Sequence, residues 1–327
     1  MKAVLVSEPG GPEKLELVEV PDPAPGPAEI TIEIHAAALN RADLLQRRGL
    51  YPPPPGTTNI LGLECSGVVS ALGPGCSGNL AVGARVMVLL GGGGYAEQVV
   101  VPEALAMKVP DALDFERAAA IPEAFLTARE VLFAAGQLTA TESVLIHAAA
   151  GGVGSAAVQL ARSLGARVFA TAGGEEKCEW VRALGADVVI DYKSQDFAAV
   201  VQAETGGLGV NVILDFVGAA YAAQHATCLA TRGRQVLIGV MGGARASIDL
   251  GRLLQRRQSL LGVVMRSRSI REKIELTRGF VRNTLPLLAD GRLKPLVDSV
   301  FPLAEVALAH RRMEANQNSG KIVLKVR

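Results

Sequence analysis

Residues 144–264 constrain this chain most, because nearly uninterrupted apolar runs alternate there with stretches of helical pattern. Strand candidates lie at 144–148, 167–172, 187–191, 211–216, 234–240 and 259–264, and helix candidates at 152–164, 175–184, 197–204 and 221–229. Strands without a polar face must be covered on both sides, which a parallel sheet flanked by helices provides. An α/β, doubly wound domain is expected. The first 120 residues differ: short strand candidates at 1–7, 15–20, 29–37, 67–71, 85–89 and 96–101, broken by Gly and Pro, suggest a small irregular barrel or sandwich. A helical stretch at 115–135 joins the two regions. Past Arg266, a helix at 271–289, a strand at 297–301, a helix at 303–315 and a strand at 321–326 are expected to return to the first domain, since the parallel sheet is already finished. The expected domains are 1–120 with 267–327, and 121–266.

The segment VLIHAAAGGVGSAAVQLARSLGA joins a buried strand to an amphipathic helix through Gly151, Gly152, Val153 and Gly154. Glycines there let backbone N–H groups approach a pyrophosphate, and the helix N-terminus adds partial positive charge. Ala149 stands at the first position of the usual glycine triplet. The same glycines would also serve a close crossing of helix and strand. The order strand, turn, helix, strand favours a dinucleotide site.

The tip of the next strand discriminates between dinucleotides, because an Asp or Glu there accepts from the ribose hydroxyls of NAD. Here Ala172 runs into Gly173, Gly174, Glu175, Glu176 and Lys177, with no carboxylate at the tip. That leaves room for a 2′-phosphate, with Lys177 as its cation and Tyr192 as a hydroxyl donor. Lys177 could equally pair with Glu175 or Glu176 on its own helix.

Charge excludes other partners. With 33 Lys plus Arg against 32 Asp plus Glu, the formal net charge is +1. The one Arg-rich stretch (Arg252, Arg256, Arg257, Arg266, Arg268) is too sparse for a nucleic-acid stripe. No apolar run reaches the roughly 18 to 20 residues of a membrane span, and Pro9 and Gly10 interrupt the N-terminus before a secretory apolar region forms. A cytoplasmic protein is expected. Cys65, Cys76, Cys178 and Cys228 are widely spaced, which suits reduced thiols.

The motifs AALNRADLLQRRGLYPPPPG, NILGLECSGVV, AAAIPEAFLTA, VLIHAAAGGVG, LIGVMGG, MRSRS and MEANQNSGKIVL occur in order along the chain. Together they resemble the zinc-free medium-chain dehydrogenase/reductases, in the NADPH quinone oxidoreductase family that includes zeta-crystallin, and especially its tumour-suppressor-induced quinone oxidoreductase subgroup. The resemblance implies a GroES-like, mostly-β substrate domain, a Rossmann domain, NADPH in the cleft, and a homodimer or homotetramer joined through the Rossmann sheets. It implies that Gly151, Gly152, Val153 and Gly154 hold the pyrophosphate, and that Gly173, Lys177 and Tyr192 hold the 2′-phosphate. Val217, Gly218, Val240, Met241, Met265, Arg266 and Arg268 flank the cofactor, and Asn40 and Tyr51 line the nicotinamide and acceptor. The family's usual Ser after the first phosphate-site glycine is Gly174 here, which removes one hydroxyl donor.

Zinc members of the superfamily polarise an alcohol with a metal held by Cys and His ligands. Where those ligands are expected, this chain offers Asn40 and Leu63, and His35, His147, His225 and His310 have no partner at metal spacing in the sequence. A metal-free reduction of an already electrophilic quinone is therefore expected. Asn40 can donate through its amide, and Tyr51 can donate a phenolic proton or form an aromatic wall. Asp43 is placed with them, Asp43 and Glu64 could instead orient the site, and Glu123 reads equally as a helix cap or a catalytic acid. Two alternatives stand beside a quinone acceptor: an activated alkene, as in enoyl reductases, and a cofactor-binding protein with a structural or RNA-binding role.

Overall fold

In the computed structural model, which describes all 327 residues, the β-branched runs of the first span form β1 (Lys2–Val6), β2 (Leu15–Glu19), β3 (Glu29–Ala38), β4 (Glu64–Leu72), β5 (Arg85–Leu89), β6 (Gln98–Pro102) and β7 (Met107–Lys108). Three helices accompany them: α1 (Arg41–Arg47), α2 (Phe115–Ala119) and α3 (Pro122–Arg129). The middle span alternates β8 (Ser143–Ile146), α4 (Gly152–Leu164), β9 (Arg167–Ala172), α5 (Glu175–Ala183), β10 (Val188–Asp191), α6 (Phe197–Glu204), β11 (Val210–Asp215), α7 (Ala222–Cys228), β12 (Leu229–Leu237), α8 (Leu250–Arg256) and β13 (Ser259–Gly262). The last span contributes α9 (Ile270–Asn283), α10 (Leu285–Ala289), β14 (Val297–Pro302), α11 (Val306–Glu314) and β15 (Lys321–Lys325). Residues 1–126 with 265–327 form one compact unit, here the outer unit, and residues 127–264 form the middle unit.

In the outer unit a seven-stranded sheet runs β14-β15-β3-β4-β5-β7, with β6 also pairing to β3. β15 enters antiparallel to β3, setting Val323 opposite Ala38 and Leu324 opposite Ala37, and β14 lies parallel beside β15. Ile30, Ile32, Ile34, Val69, Val88, Ile322 and Leu324 share one core. Ala36, Ala38 and Val323 pack with Ala119 of α2 and with Ala120 just after it, where small side chains let the helix lie close to the sheet.

The middle unit holds six strands in the order β10-β9-β8-β11-β12-β13, every pair parallel. This is the doubly wound order 3-2-1-4-5-6, whose direction of winding reverses between β8 and β11 and leaves room for a ligand at their carboxyl ends. Leu145, Phe169, Ile190 and Ile213 of the sheet are buried against Phe197 and Val201 of α6. The chain thus has the expected α/β class, with a Rossmann sheet and a mostly-β GroES-like unit.

Several element boundaries differ from the sequence expectation. The helix expected over 115–135 is three pieces: α2, α3 and a π-helical turn at Glu130–Ala135. Pro122 lacks an N–H and disfavours helix in the residue before it, so a new helix begins there. The helix expected at 271–289 breaks at Thr284, next to Pro286, into α9 and α10. β12 begins at Leu229, earlier than expected, and shortens the helix before it. Helices α1 and α8 were not expected. The Asp249 carboxylate accepts from Arg252 N and starts α8.

Between β8 and α4 the chain turns through Ala148, whose φ of 48° lies in the left-handed region, and Gly151 N closes the turn on Ala148 O at 2.9 Å. A Cβ at Gly154 would lie 2.3 Å from Ala148 O and 2.7 Å from Ala149 Cα, so α4 crosses its strand at a distance only glycine allows. Gly154→Ala should therefore destabilise the protein by about 1 to 3 kcal/mol, read as a lower urea midpoint with an unchanged m-value. An unchanged midpoint would mean that the turn has slack.

Candidate functional site

The carboxyl ends of β8, β9 and β11 in the middle unit carry a buried polar chain. His147 Nδ1 lies 3.0 Å from Thr171 Oγ1, and its Nε2 lies 2.8 Å from His225 Nε2. His225 Nδ1 faces Gln235 Nε2 at 3.1 Å and Asp215 Oδ2 at 3.4 Å. Burial, reinforced by the neighbouring His225, holds the His147 pKa down to about 3, so its ring is neutral. The other Asp215 oxygen accepts from Val217 N at 2.8 Å and Gly218 N at 2.9 Å, which fixes the loop after β11. Gly242 N donates to Val217 O and Met241 N to Phe216 O, so Val217, Gly218, Val240 and Met241 lie in two loops stitched together.

The glycine turn fits a nicotinamide dinucleotide. At Gly151 a Cβ would meet only Ala148 O, at 3.2 Å, so the chain itself barely requires glycine there. The first turn of α4 contains no acidic residue, and Gly152, Val153 and Gly154 present first-turn N–H groups that have no carbonyl partner within the helix. At the tip of β9, Gly173 lies against the Tyr192 ring, since a Cβ there would be 2.6 Å from the Tyr192 hydroxyl. Gly174 has φ 92° and would place a Cβ 4.0 Å from Lys193 Nζ. Lys177 stands in the first turn of α5. Gly173 and Tyr192 therefore meet at one strand tip with Lys193 near Gly174, and Lys177 stands in the helix that follows. Lys193, the residue after Tyr192 at the end of β10, was not singled out in the sequence. Asp191 is not a free acceptor there: Oδ1 takes Gly174 N at 2.9 Å and Lys193 N at 3.0 Å.

In the outer unit, Asn40 ends the loop after β3 and Asp43 sits one turn later in α1. Asp43 is fully buried and accepts from Asn40 N at 2.8 Å, Tyr95 Oη at 3.0 Å and Gly62 N at 3.2 Å. Burial raises its pKa to about 6 against the opposing pull of those bonds. Asn40 Nδ2 donates to Glu64 Oε1 at 2.9 Å and Ala38 O at 3.3 Å, while Oδ1 accepts from Lys321 Nζ at 2.6 Å. Both amide protons are thus committed within the chain, so Asn40 and Asp43 hold the site's shape, and the expected donation from Asn40 to an acceptor has no proton left to use. Lys321 Nζ also donates to Leu39 O at 2.6 Å and pairs with Glu64 Oε1 at 2.6 Å, which uses all three of its protons. The remaining Glu64 oxygen accepts from Glu123 N at 2.8 Å, at the start of α3.

Tyr51 is half-buried beside this network. The Arg266 guanidinium lies 5.2 Å from its ring centroid and donates to Tyr51 O at 3.3 Å, Gly91 O at 2.8 Å and Gln46 Oε1 at 2.6 Å. Arg266 is a clamp on the Tyr51 loop. Its charge is spent on these partners, a role the sequence reading did not give it. Burial raises the Tyr51 pKa, so the phenol stays neutral. Met265 is buried, while Arg268 is half-buried and donates its N–H to Met265 O.

A glycine-rich turn on a doubly wound parallel sheet, together with a GroES-like unit bearing a buried polar cluster, defines a nicotinamide-dependent oxidoreductase. Residues 26–111 match the family model for the alcohol dehydrogenase GroES-like domain, and residues 152–278 match that for zinc-binding dehydrogenase. A Pseudomonas aeruginosa quinone oxidoreductase is 34% identical, with 96% of each chain covered. A human synaptic vesicle membrane protein VAT-1 homolog is 36% identical over 96% of this chain and 84% of its own. Among solved structures, a mycobacterial protein complexed with NADPH (34% identity, TM-score 0.89) and an NAD-dependent alcohol dehydrogenase (36%, TM-score 0.89) each match with 100% of both chains covered. An enoyl reductase is 26% identical at TM-score 0.89, covering 99% of this chain and 98% of its own. The chain belongs to the medium-chain dehydrogenase/reductase family, among its quinone oxidoreductase homologues.

The zinc named in one of those family models does not fit the residues present. No three His, Cys, Asp or Glu side chains converge to hold a metal, Leu63 is apolar and buried, and the Asn40 amide is committed.

No helix is long and apolar enough to cross a membrane. Removing one partner of the buried Glu64–Lys321 pair leaves a charge without compensation. Lys321→Met should cost about 3 to 5 kcal/mol in urea unfolding, and adding Glu64→Gln should recover part of that loss. A double variant no more stable than Lys321→Met would show that the cost comes from packing alone.

Proposed function

We propose that the protein is an NADPH-dependent oxidoreductase that reduces quinones without a metal. The observation that carries the reading is the Tyr51 ring, clamped by Arg266 and presenting a hydroxyl with no hydrogen-bond partner inside the chain. A rigid aromatic wall with one free donor suits a planar acceptor, and a quinone is electrophilic enough to need orientation more than a Lewis acid. Similarity to quinone oxidoreductases supports the same acceptor.

When bound, the cofactor supplies a hydride. In this reading Gly151, Gly152, Val153 and Gly154 hold its pyrophosphate through backbone N–H groups, and the loops of Val217, Gly218, Val240 and Met241 flank it. At the β9 tip, Gly173 and Gly174 leave space for a 2′-phosphate, Lys177 and Lys193 supply charge and Tyr192 a hydroxyl. Likeness to an NADPH-complexed structure supports this, whereas likeness to an NAD-dependent enzyme makes the cofactor worth measuring. Met265, Arg266 and Arg268 would act on the acceptor side through the Tyr51 loop. The small-molecule acceptor, balanced charge and cytoplasmic location expected from the sequence belong to the same proposal.

A second reading, reduction of an activated alkene, is supported by likeness to enoyl reductases. Steady-state rates on a naphthoquinone and on an enoyl thioester decide between them: higher efficiency on the thioester overturns the quinone assignment. A homodimer or homotetramer is also proposed. β13 is a sheet edge with Leu260 exposed, and Leu250 and Leu254 of α8 are 70% and 77% exposed. Light scattering that gives a monomer would refute it.

For the cofactor, Lys177→Ala and Lys193→Ala should each weaken NADPH binding roughly tenfold while leaving NADH nearly unchanged, since charge-assisted contacts contribute about 1.5 to 3 kcal/mol. Dissociation constants at fixed salt provide the check. Equal losses for both cofactors, or a wild-type preference for NADH, would remove the 2′-phosphate assignment.

A further inference from the structure

Reduction of a quinone or an activated alkene by hydride leaves an anion on the acceptor, and a proton must reach it. Of the acidic groups around the Asn40 network, most are committed. Asp43 is sealed from solvent with three donors on its oxygens, and Glu64 is paired with Lys321 and bonded to Asn40 and Glu123 N. Two groups retain a proton with no hydrogen-bond partner in the chain: the Tyr51 hydroxyl and the Glu123 carboxyl. Both are only half-buried.

Glu123 follows Pro122 at the first turn of α3, and its backbone N–H is tied to Glu64 Oε2 at 2.8 Å. Sequence alone left it between a helix cap and an acid. In the structure its main chain is fixed and its carboxyl is unbonded, next to the Glu64 carboxylate that pairs with Lys321. We propose that Glu123, as a carboxylic acid, is the catalytic proton donor to the acceptor anion. This rests on the reading that the acceptor lies against Tyr51.

The charged and titratable groups facing Glu123 come from every neighbouring element: Glu64 on β4, Asp43 on α1, Lys321 on β15 and Lys273 on α9, with Tyr51 and Arg266 within electrostatic reach. Burial first, then Glu64, raises the Glu123 pKa to about 8, and the two lysines oppose them. The carboxyl is therefore protonated at neutral pH. A phenolate formed on a quinone titrates near 10 like an ordinary phenol, so transfer from an acid at about 8 is downhill, whereas transfer from Tyr51, itself raised above the phenol value, is not. Tyr51 is left to orient the ring.

The step balances. The cofactor hydride reduces the acceptor by two electrons, the Glu123 O–H bond breaks as the O–H bond of the hydroquinone (or the C–H bond of the reduced alkene) forms, and the Glu123 carboxylate regains a proton from water at its exposed edge.

The test compares wild type, Glu123→Gln and Glu123→Asp with saturating NADPH and a naphthoquinone between pH 6 and 10. In wild type kcat should fall above about pH 8. In Glu123→Gln it should be roughly a hundredfold lower at pH 7 and lose that limb, with unchanged NADPH affinity. Glu123→Asp should restore part of the rate. Infrared difference spectra of wild type between pH 7 and 9 should show loss of a protonated carboxyl band that Glu123→Gln lacks. An active wild type with no such band, or a Gln variant with the wild-type rate and profile, overturns the role of Glu123 and leaves the quinone reading intact. A wild type inactive on both acceptors overturns that reading and the proposal with it, and the infrared band alone keeps the test decisive if the Gln variant does not fold.

Discussion

The Glu64–Lys321 pair organises the outer unit. One ammonium satisfies a carboxylate on β4, the Asn40 side chain at the start of α1 and the Leu39 carbonyl at the end of the β3 segment, all from a strand near the other end of the chain. Such a pair contributes little net stability over an apolar substitute. Its value is specificity of arrangement: every donor and acceptor finds its partner in only one register of β15 against β3. Glu64 also anchors the first N–H of α3, so the geometry of the Glu123 carboxyl depends on a strand some two hundred residues away in the chain.

The two units solve the problem of polar groups at strand ends differently. The outer unit places charge in a site and neutralises it with a full set of donors. The middle unit uses a hydrogen-bonded chain, Thr171, His147, His225 and Gln235, ending on the Asp215 carboxylate. A ring-to-ring hydrogen bond between two imidazoles needs one donor and one acceptor nitrogen, and the neutral His147 ring carries one of each. Asp215 ends this chain and fixes the N–H groups of Val217 and Gly218.

How much of this was legible in the sequence follows from the range of each interaction. The parallel sheet and its glycine turn were readable because strand burial and the needs of the turn are local: near-continuous apolar runs and a Gly at the crossing leave few alternatives. Helix breaks at Pro122 and Thr284 were misread because apolar periodicity continued through them. Asn40 and Asp43 are joined by a hydrogen bond, yet what they do depends on Lys321 and Glu64, whose partners are fixed only by tertiary pairing. Arg266 shows the same limit. The family resemblance set it beside the cofactor, and only the fold reveals that Tyr51, Gly91 and Gln46 already use its donors.

The order of strands in the outer sheet also sets a schedule for synthesis. β15 lies between β14 and β3, so an interior position in that sheet is filled only by residues 321–325. A ribosome releases the whole middle unit first, and that unit can assemble its parallel sheet while the outer one still has an open flank on β3. During that interval the carboxylate of Glu64 has no cation, and the Ala36–Ala38 end of β3, beyond the stretch paired to β6, is a short unpaired edge. Arrival of the last strand closes the edge and neutralises the charge in one event. Until residues 321–325 are in place, that short edge and the Glu64 carboxylate stay uncovered together.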